Sequence, residues 1–331
     1  MQLDSARELK AQLLKLQVKP LARAAAVSAL ALSARALNDI DKNQPTIVMG
    51  IAQKGKRSYQ LAVRIQSRAL ENSGQIETIR KQAKQEVDVR YVGSIVKRDA
   101  EWNRKRHRPL EIGISIAHYR VTAGTLGCFV QTRNTHQPRM LSNNHVFAHE
   151  NDATKGDAIL QAGRYDGGRS SKDTVGGLDR FIKLIDAGIN YVDCATGTIR
   201  KGIDFEKSTL NGGGQLKGLA QTLPDVQEKV SKMGRTTGLT HGRITAFELD
   251  NVIVKYEMGN LRFDNQIEIE PDGQGPFSQG GDSGSLIYDS QGLAVALLFA
   301  GGDQGGTNGQ GLTFANPIAR VFDDLEVDLL C

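Results

Sequence analysis

The most informative segment of the sequence is Gln279-Gly280-Gly281-Asp282-Ser283-Gly284-Ser285-Leu286. Its glycines allow a sharp bend, so that the backbone N–H groups of Gly281 and Ser283 can face one point. Hydrolysis of an amide needs such donors for the developing oxyanion, together with a nucleophile. The residues after the bend read as a strand, which separates this segment from an ordinary Gly-Asp-Ser-Gly turn. We therefore predict Ser283 as a nucleophile and the amides of Gly281 and Ser283 as an oxyanion hole.

Two upstream segments supply a base and a carboxylate. Residues 141–146 read Leu-Ser-Asn-Asn-His-Val, and residues 190–195 read Asn-Tyr-Val-Asp-Cys-Ala. A lone histidine is more often structural than catalytic, but His145 starts a turn, which suits a base at a barrel edge. Asp193 lies in an apolar run that reads as a strand, where a buried carboxylate is costly unless it is paired. We predict His145 as general base and Asp193 as its orienting partner, with Asp186 or Asp179 as substitutes for Asp193.

The order of the three residues adds specificity. Histidine, aspartate and serine follow one another along the chain in the order typical of chymotrypsin, whereas subtilisins and α/β-hydrolases have other orders. This order places His145 and Asp193 on a first barrel and Ser283 on a second. A serine esterase is the alternative, but it would carry Gly-x-Ser-x-Gly, and residues 281–285 read Gly-Asp-Ser-Gly-Ser.

The sequence resembles the trypsin-like serine peptidases, and in particular a bacterial branch similar to the plant narrow-leaf proteins. The resemblance rests on the three segments above and covers residues 109–325. Further matching segments are Val121–Cys128, Lys232–Gly238, Leu298–Gly302 and Thr313–Ile318. It implies a mainly β fold, a chymotrypsin-like double β-barrel. It also implies a serine endopeptidase that cleaves polypeptides through an acyl-enzyme, here processing a specific intracellular partner. A catalytically inactive peptide-binding or scaffold protein is the alternative.

The resemblance also implies where a substrate binds and how the site is activated. Phe299-Ala300-Gly301 should be the edge that pairs with an extended substrate. The base of the specificity pocket should lie near Phe277; no carboxylate is there, so no preference for Arg or Lys is expected, and Asp272 is the nearest candidate. In secreted relatives, the aspartate beside the nucleophile pairs with a new N-terminus. Because more than 100 residues precede the barrel here, Asp282 should find an internal partner, or activity awaits another event.

The sequence before the barrels divides into three parts. Residues 1–40 are rich in helix formers, with Pro20 ending a first helix, and the apolar run at 24–33 reads as a second helix rather than a signal segment. Residues 41–96 predict a small ββαβ α+β domain, and residues 97–108 a solvated basic linker. Residues 109–331 form the peptidase domain. We assign residues 1–108 to regulation or assembly, with homo-oligomerisation through the N-terminal helices as one possibility.

Composition narrows the class of protein further. The chain has 331 residues, 39% of them hydrophobic, and its 36 glycines concentrate after residue 160 between short apolar runs, as in a β-sandwich or a β-barrel. Six of these runs are predicted strands: Thr125–Val130, Ala158–Leu160, Tyr191–Ala195, Gln266–Ile269, Ser285–Tyr288 and Leu293–Phe299.

Charge and cysteine content bear on partners and location. The net charge of +5 is concentrated in the basic linker and only 5% of residues are aromatic, so no nucleic-acid partner is expected. The sequence has no run of 18 apolar residues, so no membrane-spanning helix is expected. An odd count of three cysteines favours a reducing compartment, and we predict a cytoplasmic protein. No cofactor is expected, and no metal either, because His145 and His149 have no glutamate between them.

Overall fold

The computed structural model describes residues 1–14, 47–55, 58–65, 70–91, 102–212, 214–221, 227–302 and 304–331. It divides into two compact units, Met1–Lys97 and Arg98–Cys331. The boundary lies at the start of the basic segment, and its described residues, 102–108, belong to the larger unit. The predicted helix that contains residues 24–33 lies outside the described residues.

The smaller unit contains the predicted ββαβ arrangement. Its elements are helix α1 (residues 3–14), β1 (Ile47–Gly55), β2 (Ser58–Ile65), α2 (Gly74–Gln82) and β3 (Val87–Tyr91). Ser73 caps α2 by accepting from Ile76 N, and α2 buries Ile76 and Ile79 on one face. The sheet pairs β1 with β2 antiparallel and β2 with β3 parallel. Its core includes Leu13, Leu61 and Val63.

The larger unit is built mainly of short strands. The first set is β4 (Leu110–Glu111), β5 (Ser115–His118), β6 (Gly124–Thr125), β7 (Cys128–Thr132), β8 (Pro138–Ser142), β9 (Ala158–Leu160), β10 (Thr174–Phe181), β11 (Ile189–Asn190), β12 (Ala195–Thr198), β13 (Phe205–Glu206), β14 (Thr209–Leu210) and β15 (Gly214–Gln215). The second set is β16 (Gly218–Leu219), β17 (Lys229–Gly234), β18 (Gly238–Leu249), β19 (Val252–Tyr256), β20 (Gly259–Phe263), β21 (Gln266–Pro271), β22 (Leu286–Asp289), β23 (Leu293–Gly301), β24 (Thr313–Pro317) and β25 (Val327–Leu329). Helices α3 (Asn144–Phe147), α4 (Ser170–Asp173) and α5 (Ile318–Leu325) interrupt them.

These strands form two large sheets. The first has the order β25-β7-β8-β12-β10-β9-β5-β6 and curls into a half-barrel. The second has the order β16-β23-β22-β17-β18-β21-β24, and because β24 also pairs with β23, its last six strands close into a barrel. In β21, Ile267 and Ile269 alternate with glutamates and face the barrel core, as a period of two requires. The predicted double barrel is confirmed.

Helix α5 and strand β25 return the chain to the first sheet. Ile318, Val321, Phe322 and Leu325 recur at helical spacing and pack into the core of the curled sheet. Strand β25 then pairs with β7. The segment that follows the second barrel in sequence therefore supplies an edge strand of the first sheet.

Three sequence expectations about local structure differ from the structure. The strand predicted at Thr125–Val130 is interrupted at Leu126 and Gly127, which separate β6 from β7. Residues 191–194 form no strand, because Tyr191 O accepts from Gln266 Nε2 and Asp193 N donates to Asn316 Oδ1 instead of pairing with a neighbouring strand. Residues 102–108, the described part of the predicted solvated linker, pack on the larger unit, and Asn103 is only 4% exposed. Lys105 and Arg106 are exposed, as residues of a solvated linker would be, whereas Asn103 is buried because its side-chain amide donates to the carbonyl of Arg235.

All three cysteines are free: Cys128 and Cys194 are buried, and Cys331 is exposed. Burial raises the pKa of both buried thiols. Among the described helices, none is both long enough and apolar enough to cross a bilayer.

Candidate active site

His145 lies on α3, the one-turn helix that follows β8. Its Nδ1 is 2.5 Å from Asp193 Oδ2, and its backbone N–H donates to Asp193 Oδ1 at 3.2 Å. Asn143 Nδ2 donates to the carbonyl of Asp193 at 2.7 Å. This bond joins the start of α3 to the loop between β11 and β12, which contains Asp193 and is here called the aspartate loop. Three hydrogen bonds to Asp193, from the ring and the backbone of His145 and from the side chain of Asn143, therefore fix the position of the imidazole.

Asp193 lies in the loop between β11 and β12 and is fully buried. Burial alone would raise the pKa of this carboxyl, but the charge of His145 and hydrogen bonds from His145 and Tyr256 lower it below its ordinary value. Burial likewise acts to lower the pKa of His145, and the charge and hydrogen bond of Asp193 reverse that effect and raise it. The pair thus favours a carboxylate beside an imidazole that readily takes a proton.

Tyr256, at the end of β19, is a member of this cluster that the sequence analysis missed. Its hydroxyl donates to Asp193 Oδ2 at 2.6 Å, the same oxygen that bonds to the imidazole. Its ring meets the ring of His145 edge-on, with centroids 5.8 Å apart. No local motif marks this tyrosine, because the contact joins segments far apart in sequence. Only a prediction of how β19 and β20 pack would have found it.

Ser283 lies on the turn that precedes β22. Gly281 (φ 96°) and Gly284 (φ 92°) on either side have left-handed backbone conformations that favour glycine. A Cβ at position 284 would also collide with Ser142 Oγ, so the turn packs directly against the end of β8. Ser283 and His145 line one cavity. Among the described residues, the Ser283 hydroxyl makes no hydrogen bond to the His145 ring, a contact that often forms only with substrate bound.

The backbone amides of this turn fall into two groups. Those of Asp282, Gly284 and Ser285 donate to carbonyls of Gln279, Leu298 and Asp282. Within the described residues, the N–H groups of Gly281 and Ser283 donate no backbone hydrogen bond. Ser283 lines the cavity, whereas Gly281 is not among its lining residues.

Asp282 has the internal partner that the sequence analysis expected. Lys232 Nζ is 3.4 Å from Asp282 Oδ2, and both side chains are fully buried. The carboxylate also accepts hydrogen bonds from Thr236 N, Thr237 N, Thr237 Oγ1 and Gln279 N at 2.7–3.1 Å. Burial lowers the pKa of the Lys232 ammonium, and the charge of Asp282 opposes that effect. An ion pair within one chain thus stands directly beside Ser283.

The cavity has a volume of about 750 Å³ and borders both barrels. Phe299, Ala300 and Gly301 line it, as the predicted substrate edge would. Phe277 does not line it: its side chain is buried in the core of the closed barrel, with Lys232 Nζ 5.8 Å from its ring centroid. Glu150 and Lys255 add charged groups to the wall that the sequence analysis did not identify.

The other carboxylates considered from sequence lie elsewhere. Asp272 pairs with Lys229 at 3.2 Å and does not line the cavity. Asp179 pairs with Arg139 and Lys155 at 2.6 and 3.0 Å, and Asp186 accepts from Ala187 N. In the described parts of the chain, no three His, Cys, Asp or Glu side chains are grouped closely enough to hold a metal ion.

No protein-family model and no curated protein sequence matches the chain. Among solved structures, a glutamic-acid-specific serine protease is 18% identical, with 67% of this chain and 100% of that one covered and a TM-score of 0.48. The Nocardiopsis protease is 16% identical over 67% and 99% of the two chains (TM-score 0.47), and Thermobifida fusca protease A is 16% identical over 67% and 98% (TM-score 0.46). By its own strand order, a curled half-barrel followed by a closed six-stranded barrel, the larger unit has a chymotrypsin-like double β-barrel fold.

Proposed function

We propose that the chain is a serine endopeptidase in which Ser283 is the nucleophile, His145 the general base and Asp193 the residue that orients the base. The observation that carries this proposal is the 2.5 Å contact between His145 Nδ1 and Asp193 Oδ2, in an imidazole that shares a cavity with Ser283. A carboxylate on Nδ1 leaves Nε2 as the nitrogen that can accept a proton.

The reaction follows from this arrangement. The Ser283 hydroxyl attacks the carbonyl carbon of the scissile peptide bond, and its proton passes to His145 Nε2. The amides of Gly281 and Ser283 stabilise the oxyanion while Asp193 stabilises the imidazolium. His145 then gives the proton to the leaving amine, the C–N bond breaks and an acyl-enzyme remains. Water, deprotonated by His145, attacks the ester carbonyl; the C–O bond to Ser283 breaks, Ser283 Oγ takes the proton back from His145, and the acid is released.

The cavity supports a polypeptide substrate. An extended chain that pairs with the Phe299-Ala300-Gly301 edge would pass both His145 and Ser283, since all line the same cavity. Three free cysteines suit a reducing compartment, so we propose that the substrate is an intracellular polypeptide and that the enzyme is cytoplasmic.

A fluorophosphonate probe followed by peptide mapping tests the proposal. We expect a single labelled residue, Ser283, and no labelling of Ser283→Ala. Ser278→Ala is the matched control: Ser278 lines the same cavity, but its hydroxyl bonds to Thr313 Oγ1 at 2.6 Å. Ser285 is buried and bonds to Asp282 O at 2.6 Å. Labelling of Ser278 or Ser285 would refute the assignment. No labelling, together with peptide binding by the folded protein, would favour the inactive scaffold.

A further inference from the structure

A short segment that precedes both barrels contacts the turn at residues 234–237. Asn103, in the turn Trp102–Arg104, donates from Nδ2 to the carbonyls of Gly234 and Arg235, the latter at 2.6 Å. The Arg104 guanidinium donates to Arg235 O and Thr236 O, both at 3.4 Å. The carbonyl groups of residues 234–236 are thus bonded to a segment that the sequence predicts as a solvated linker.

The other side of the 234–237 turn bonds to the residues around the nucleophile. Thr236 N and Thr237 N donate to Asp282 Oδ1 at 2.7 and 3.1 Å, and Thr236 Oγ1 donates to Gly280 O at 2.7 Å. A Cβ at position 234 would collide with Asp282 Oδ1, so the backbone of Gly234 lies directly against this carboxylate. A displacement of the 234–237 turn must therefore displace Asp282, the residue next to Ser283.

The segment is fixed at its other end to the curled sheet. His107 N and Arg108 Nη1 donate to Gln161 Oε1 at 2.8 and 2.6 Å, and Gln161 Nε2 donates to Lys105 O at 2.9 Å. Residues 102–108 therefore connect the end of β9 to the 234–237 turn. Because both ends are anchored, Asn103 can hold the turn in one place rather than follow its movements.

We propose that Asn103 and Arg104 are positioning residues. Through their bonds to the 234–237 turn, they hold the turn that carries Ser283 in its reactive conformation. The inference rests on the proposed function of Ser283. Without Asn103, two carbonyl groups in a buried setting lose a donor, which favours other conformations of the turn. Arg235 keeps the 234–237 turn attached to the segment between β9 and β10 through its 2.5 Å ion pair with Asp166, so we expect the turn to loosen while the barrel stays folded.

The test compares three variants of the full chain. Asn103→Ala and Arg104→Ala remove donors to the 234–237 turn. Arg106→Ala is the matched control, because Arg106 lies on the same segment but bonds to Asp173 at 3.2 Å and not to the turn. For each variant, the rate of fluorophosphonate labelling of Ser283, kcat and KM for a fluorogenic peptide, and the thermal midpoint are measured.

We expect Asn103→Ala to lower the labelling rate and kcat by about tenfold or more, with KM changed far less, since a loss of about 1.4 kcal/mol is tenfold. Arg104→Ala should act in the same direction with a smaller effect, and Arg106→Ala should match the wild type. The inference is wrong if Asn103→Ala and Arg104→Ala label Ser283 at the wild-type rate, or lose labelling only in proportion to their unfolded fraction. Failure of the wild type to label at all would instead refute the proposed function.

Discussion

Replacing Lys232 by methionine should weaken both the closed barrel and the site, and the size of the effect follows from the surroundings of Asp282. Methionine has a similar length but no charge, so Asp282 would remain buried without a counter-ion. In the wild type, the Lys232 ammonium donates to Thr237 Oγ1, Gly238 O and Asp282 Oδ2. All three acceptors lose this donor in the variant.

Breaking a buried ion pair from one side costs about 3–5 kcal/mol, because an uncompensated charge stays inside the protein. Asp282 keeps its four hydrogen bonds from Thr236, Thr237 and Gln279. Those bonds partly stabilise the lone carboxylate, so we expect the lower end of that range, about 3 kcal/mol. The double variant Lys232→Met/Asp282→Asn removes the charge as well, and it should cost less than the sum of the two single changes.

Urea unfolding followed by tryptophan fluorescence measures these free energies. The chain has a single tryptophan, Trp102, and it belongs to the larger unit, so its emission reports on that unit. Labelling of Ser283 by a fluorophosphonate gives the effect on the site. The reasoning would be refuted if the free energy of unfolding of Lys232→Met fell by less than about 1 kcal/mol and Ser283 were labelled at the normal rate. It would also be refuted if the free-energy losses of the two single variants added up to the loss in the double variant.

Three further predictions concern the proposed triad. Asp193→Asn should lower kcat by about 10⁴, because Asp193 fixes the orientation and tautomer of His145; a loss below about tenfold would contradict that role. In the wild type, kcat/KM should rise with pH through an apparent pKa above the ordinary histidine value of about 6.5, because the base acts when neutral and Asp193 raises the pKa of His145. Tyr256→Phe should move this acid limb to still higher pH, because the carboxylate loses a donor and attracts the imidazolium more strongly; a pH profile like that of the wild type would limit Tyr256 to a structural role.

The sequence contains the information for the strands and for the three proposed catalytic residues because both leave local signals. The sequence predicts a strand at Ala158–Leu160, which are the bounds of β9. It predicts another at Leu293–Phe299, and β23 starts at the same residue and ends two residues later. The glycines on both sides of Ser283 mark a sharp turn in the local sequence, because glycine tolerates the left-handed backbone conformation that this turn needs. The strand predicted at residues 191–194 is absent. Alternating apolar residues look the same in the sequence whether their backbone pairs with a strand or with side chains such as that of Asn316.

The parts that sequence reasoning missed depend on contacts between distant segments. Tyr256 reaches Asp193 because β19 and β20 pack beside the aspartate loop, and no spacing in the chain encodes that approach. Asn103 lies in a charge run whose composition suggests solvation, yet its amide fits two carbonyl groups of a turn more than 100 residues away. Composition averages over such a segment, whereas one side chain decides its structure.

The distribution of the cysteines makes the protein a reporter of its own folding. Cys331 is exposed, while Cys128 and Cys194 are buried in the curled sheet and its aspartate loop, where their raised pKa values disfavour the thiolate. An alkylating dye should therefore react once with the native protein and three times after unfolding. Because Cys194 follows Asp193 directly, its alkylation marks the opening of the loop that orients His145. Peptide mapping of a briefly alkylated sample by mass spectrometry would then give the fraction of molecules in which Cys194 had become accessible.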